Sequence, residues 1–184
     1  MSWNLDPSHS SVDFSVRHLG FSTVRGRFGS FDLAVTTDEA GVPTSIKSTI
    51  DAATIATGSA DRDAHLRSAD FFDAENHPHI TFESTAINRD GDDLVIQGNL
   101  TMRGITHPVT FEAEVTGPVK DPWGNPRLAA EATGKINRTK WGLTWNQLLE
   151  AGGLMVSEEV KFSINAQIVG QSDATEEKQQ VAAD

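Results

Sequence analysis

Along most of this chain apolar residues recur at every second position, in runs separated by turn-forming residues, which is the pattern of half-buried antiparallel strands. Val12, Phe14 and Val16 alternate with Asp13, Ser15 and Arg17. Val24, Gly26 and Phe28 alternate with Arg25 and Arg27. After Gly29 the apolar phase slips to Phe31, Leu33 and Val35, which predicts a bend or bulge at Gly29-Ser30 within one long strand. Further strands are predicted over Ile46, Ser48, Ile50 and Ala52, then over Ile80, Phe82, Ser84 and Ala86, with the Asp90-Gly91 pair marking the following turn. Leu94 to Met102, Val109 to Val115, Leu128 to Ile136 and Val160 to Ile168 complete a set of eight.

The alternate positions are polar on nearly every strand, as in Thr110, Glu112 and Glu114 or Lys161, Ser163 and Asn165, so the sheet has a single apolar side. Eight such strands stack as a sandwich or close into a barrel, and closure removes exposed edges. The apolar side carries many small residues: Ser48, Ala52, Ser84, Ala86, Gly98, Ala113, Ala130, Ala132, Gly134 and Ala166. Either these interlock with large neighbours in a solid, tapering core, or they leave an elongated apolar cavity. An eight-stranded barrel is wide enough for one slender ligand.

Two stretches break the alternation. "GSADRDAHLRSAD" predicts a short helix with Ser59 as its cap, Asp61 and Asp63 in its first turn and Arg67 one turn beyond Asp63. "TKWGLTWNQLLEAGGLM" predicts an aromatic, irregular segment of the kind that closes a barrel end.

Length and charge narrow the picture. A chain of 184 residues makes one domain, expected over residues 1–170, followed by an acidic and disordered tail over 171–184. Cysteine is absent, which removes disulfides and thiolate chemistry. The formal net charge of -11 and the lack of any basic run disfavour nucleic acid and anionic membrane surfaces as partners. No apolar run is long enough to span a bilayer, and "MSWNLDPSHSSV" has neither the basic start nor the apolar stretch of a secretory signal, so a cytoplasmic protein without stable membrane insertion is expected.

Candidate chemistry is sparse. His77 and His79 stand beside Asp73 and Glu75, but Pro78 separates them and a zinc site needs three or four converging ligands, so no metal and no cofactor is expected. His9, Asp63 and His65 are the material for an acid-base site, yet no nucleophile elbow, zinc-protease helix or phosphate-cradling loop accompanies them. No catalytic residue is assigned. The charges of "RDAHLRSAD" read instead as pins that hold the short helix across a barrel mouth.

Four segments in register, "WNLDPSHSSVDFSVRHLGFSTVRGRFGSFD", "IATGSADRDAHLRSADFFDAENHPHITFEST", "GNLTMRGITHPV" and "INRTKWGL", closely resemble the YceI-like, or polyisoprenoid-binding, family from about Trp3 to about Gly170. The resemblance implies an all-β fold: an eight-stranded antiparallel lipocalin-like barrel with a short helix and an aromatic loop near its ends. It also implies a non-enzymatic protein that binds, sequesters or transports a long isoprenoid or similar amphiphilic lipid, of the polyprenyl phosphate or quinone type. The lipid chain is then expected among Phe14, Val16, Phe28, Phe82, Leu100, Phe111, Phe162 and Ile164, with Phe71, Phe72, Trp141, Leu148 and Leu149 at the mouth and Arg17, His18 and Arg62 near the head group. Two other readings stand beside it: an enzyme for a small or lipidic substrate using His9, Asp63 and His65, and a stress-related scaffold with a solid core. A homodimer is compatible with all three.

Overall fold

The computed structural model describes residues 2–91, 93–150 and 152–170, and the expected tail over 171–184 lies outside them. The alternating runs become strands: β1 (Ser2–Leu5), β2 (Ser11–His18), β3 (Ser22–Phe28), β4 (Phe31–Thr37), β5 (Pro43–Asp51), β6 (Ile55–Ala56), β7 (His79–Asp90), β8 (Asp93–Met102), β9 (Ile105–Lys120), β10 (Pro126–Asn137) and β11 (Val156–Gly170). A helix α1 (Ala60–Arg67) falls between β6 and β7. Every pairing is antiparallel, in the order β1-β4-β5-β7-β8-β9-β10-β11-β2-β3-β6, and β1 also pairs β11.

That last pairing closes the sheet. β11 carries β2 along one half, with Ile164 opposite Val12, and β1 along the other, with Ile168 opposite Leu5. β1 and β2 are therefore one stave interrupted by a 3-10 turn at Pro7–His9, where the Asp6 side chain accepts from the Ser8 amide. β3 and β4 form a second stave, bent where the apolar phase slips at Gly29-Ser30. With β5, β7, β8, β9, β10 and β11 this makes the closed eight-stranded barrel. The four residues of β1 carry too little alternation to be visible as a strand; the edge of β11 recruits them.

Two phase details depart from the alternation. Ala52 is buried in a 3-10 turn at Ala52–Thr54 and not in β5. A bulge between Ser84 and Ala86 pairs Ala86 with Gln97 and turns Ile87 inward against Ile96. Ala86 therefore leaves the apolar face.

The small inward residues divide between the two readings. Gly98 and Gly134 are covered by aromatic rings: a Cβ on Gly98 would overlap the Phe82 ring and lie 2.5 Å from the Glu83 carbonyl, and one on Gly134 would overlap Phe162. These are interlocked pairs, in which a ring shields a glycine backbone on the neighbouring strand. Ala113, Ala130, Ala132 and Ala166 line the cavity described below.

α1 begins at Ala60 after Ser59, but the Ser59 side chain makes no capping bond. The helix start is held by Thr57 instead: its amide donates to Asp63 Oδ1 at 2.9 Å, while Arg62 donates to Thr57 Oγ1 at 2.7 Å and to the Thr57 carbonyl at 2.9 Å. Asp63 thus engages the preceding loop and not Arg67.

Candidate ligand cavity

An apolar cavity of about 210 Å³ runs through the barrel. Its wall draws on every stave. At one end it begins beside Phe72, Ile80 and Met102; at the other it reaches Val35, Leu128 and Ile168. Leu94 and Met102 both border it and lie eight residues apart on β8, a distance on the order of 25 Å along a strand. So small a volume over such a length describes a narrow tube. Asp13 and Ser48 are the polar residues of this wall, and the Asp13 carboxylate pairs with Arg27 at 3.2 Å. Such a lining offers water too few partners to hold it, whereas a hydrocarbon chain meets apolar contacts on all sides.

Two runs of rings stiffen the wall. Phe28 lies 5.7 Å from both Phe14 and Phe72, and Phe111 lies 4.8 Å from both Phe82 and Phe162, in the tilted and edge-on arrangements that aromatic pairs favour.

The end beside α1 is closed by the segment that follows β10. Trp141 is buried and donates its Nε1-H to the Leu100 carbonyl at 3.0 Å. Arg138, only 4% exposed, points inward and donates to the carbonyls of Leu143 (2.6 Å), Trp145 (3.0 Å), Ser157 (3.0 Å) and Val156 (3.4 Å). Its guanidinium sits 5.9 Å from the Phe71 ring centre. Burial pulls its pKa below the usual arginine range, partly opposed by Glu158, and the residue is a buried cation held by carbonyl dipoles. Arg103, at the β8–β9 turn, donates to the carbonyls of Ala69, Phe71 and Gly142 and so ties the "FFD" segment to the same plug. Neither arginine stands out in the sequence, because the alternation reports faces and is silent on carbonyls left over in irregular segments.

The opposite end is capped by Trp3, whose Nε1-H donates to Thr37 Oγ1 at 2.9 Å above a cluster of Val35, Leu128 and Ile168. Beside it Arg127 bridges Asp6 (2.8 Å) and Asp121 (3.0 Å). Hydrogen bonds from the Ser8 hydroxyl, then from Arg127 and His9, hold the Asp6 carboxyl far below the usual carboxylate range. Burial pushes Asp121 up, but bonds from Arg127, Asn125 and Trp123 outweigh it and leave that carboxyl lowered. Both acids in turn raise Arg127.

Of the residues expected along a lipid chain, Phe14, Phe28, Phe82, Leu100, Phe111, Phe162 and Ile164 border the cavity, as does Phe72 from the expected mouth set. Val16, Phe71, Trp141, Leu148 and Leu149 do not border it. Phe71 and Trp141 are buried within the plug, and Leu148 is 84% exposed. Arg17 donates to the Phe21 carbonyl and to Thr23, Arg62 is occupied by Thr57, and His18 is half-buried at the end of β2. Alternation alone places Leu33, Ile46, Ile96, Ala132 and Ile168 on the wall as well, beyond the expected set.

The acid-base candidates have separate partners. His9 Nδ1 meets Asp6 at 3.0 Å, Asp63 accepts from Thr57, and His65 Nε2 meets Asp70 at 2.9 Å while its ring stands edge-on to Phe71 and Trp145. Among the described residues no group of three or more His, Cys, Asp or Glu converges at His77 and His79 or elsewhere. None of their helices is long and apolar enough to cross a membrane.

A closed eight-stranded antiparallel barrel around a narrow apolar tube, plugged by aromatic residues at both ends, defines a small cavity-bearing β-barrel of the lipocalin-like class. The family profile described as the YceI-like domain matches residues 3–168, and the chain belongs to that family. Protein YceI of Escherichia coli O17:K52:H18 is 46% identical over 129 residues, covering 70% of this chain and 68% of the relative. Among solved structures, Burkholderia cenocepacia BcnA superposes with a TM-score of 0.76 at 23% identity, covering 89% of this chain and 98% of the other. A polyisoprenoid binding domain from Saccharophagus degradans superposes with a TM-score of 0.67 at 14% identity, covering 92% and 98%. The last two likenesses establish the fold.

Proposed function

We propose that this barrel binds and carries the hydrocarbon chain of an isoprenoid-type amphiphile, without catalysing a reaction on it. The continuous apolar tube carries the reading. A polyisoprenoid binding domain among the structures of the same fold supports the ligand class. Each buried methylene contributes about 0.8 kcal/mol, so a few isoprene units offset the entropy of ordering the chain. The tube lies below the roughly 300–1,000 Å³ of sites for drug-sized ligands, which favours a slender polyprenyl chain over a bulky ring inside the barrel.

Native mass spectrometry and lipid extraction of the protein from its host, followed by titration of the stripped protein with prenyl alcohols of increasing length, test the reading. Bound amphiphile or affinity that rises with chain length supports it. No bound lipid together with no uptake of any prenyl chain overturns it.

A further inference from the structure

The outer face of the barrel holds a second feature, a basin over β2, β3 and β11 with Ala56 and Gly58 as its side wall. Strand register builds it. Lys161 stands opposite Ser15, and Ser15 stands opposite Arg25; one level along, Ser163 stands opposite Asp13 and Asp13 opposite Arg27. Three cations, two hydroxyls and one carboxylate therefore face one recess on a chain whose formal net charge is -11.

Two of those cations are unspent. Arg27 is paired with Asp13 at 3.2 Å, but among the described residues Arg25 and Lys161 have no ion pair and no side-chain hydrogen bond. Lys161 also lies directly opposite Lys135, a like-charge placement that costs stability. Lys135 is relieved by Glu159 at 3.3 Å, and Lys161 is not. Arg25 and Lys161 sit one strand either side of Ser15, about 10 Å apart at the backbone, from where two long side chains close on one anion.

We propose that this basin is an anion site for a phosphate-type group. A single carboxylate would be satisfied by one arginine fork. The net charge of +2 in the basin, with hydroxyl donors between the cations, matches a phosphate monoester, which carries about two negative charges and three acceptor oxygens. Two sources share that chemistry, a free phosphate and the head group of a prenyl phosphate. The second rests on the carrier reading above. Asp13, Phe14 and Phe162 belong to the walls of both basin and tube, and the edge of β3 from Ser22 to Gly26 carries no strand on the side facing residues 56–58, since β6 pairs only Arg27 and Phe28. That unpaired edge, covered at Gly26 by the Phe14 ring and the Thr57 methyl, is where a prenyl chain would pass from tube to basin once those two side chains move aside.

Calorimetric titrations with farnesyl phosphate, farnesol and inorganic phosphate, in the wild type and in the double variant Arg25→Gln/Lys161→Gln, test the site, with the urea midpoint as the folding control. Farnesyl phosphate is expected to bind about ten-fold or more tightly than farnesol, and the double variant to remove that difference while leaving farnesol unchanged. Inorganic phosphate that binds as well as farnesyl phosphate, and is lost in the variant, identifies a free anion as the occupant and keeps the basin. Phosphate binding lost in the variant with no farnesol binding in either protein leaves the basin standing and removes the carrier reading. Phosphate ligands that bind the double variant as they bind the wild type, or that bind neither, overturn the basin.

Discussion

At the scale of single residues, the barrel ends depend on groups whose partners are main-chain carbonyls. Arg138 satisfies the carbonyls of Leu143 and Trp145, in a segment with no ladder of its own, and of Val156 and Ser157 at the irregular start of β11, so its loss strands several acceptors at once. Arg138→Met is expected to cost about 3 kcal/mol in urea unfolding, and Arg138→Lys to recover little, because one ammonium cannot span the same carbonyls. The interlocked glycines make a second residue-scale case. Gly98→Ala is expected to cost about 1–3 kcal/mol, since the new methyl meets the Glu83 main chain as well as the Phe82 ring; Gly134→Ala meets only the Phe162 side chain and should cost less. Equal midpoints for the two alanine variants would show that the Glu83 main chain adds no cost at Gly98.

At the scale of elements, the opening of the first stave, the β9–β10 loop and β10 are joined through Arg127. Asp6 and Asp121 have folded pKa values below those of the unfolded chain, so the unfolded state binds more protons as pH falls between the two values. Their stabilisation is therefore fully present above the ordinary carboxylate range near pH 4 and is lost as the solution is acidified through the lowered values. Urea midpoints measured downward from about pH 5 should fall more steeply in the wild type than in Asp6→Asn. Parallel curves would remove Asp6 from the acid response.

Elements also show where sequence reading succeeds. The bend after Gly29 is legible because a slip of one position moves a whole apolar set to the other face. The helix is legible from its composition, yet its true anchor, Thr57, is not, because the Asp63 and Arg62 contacts run backward to a loop. The bulge at Ser84 hides within "STAI", where Ala86 continues the alternation of Phe82 and Ser84 and so masks the inward turn of Ile87.

For the whole molecule, the decisive quantity is the space left when eight apolar faces meet. Ala132 borders the tube between Ala113 and Ile164, so Ala132→Phe fills it from the wall. Its prenyl-chain affinity is expected to drop about ten-fold or more, while the outward Thr133→Phe binds as the wild type does. Retained affinity in Ala132→Phe would place the ligand elsewhere.

The sequence by itself determined the long strands, though not β1 or β6, their inward and outward faces short of the bulge at Ser84, and the short helix, because period-two alternation and turn residues are local properties of the chain. Only the tertiary structure decided which small residues are covered by rings and which border the tube, which arginines plug the barrel, and that Arg25, Arg27 and Lys161 share a basin. Those facts depend on register between strands far apart in the chain, and register is set by how the whole sheet closes.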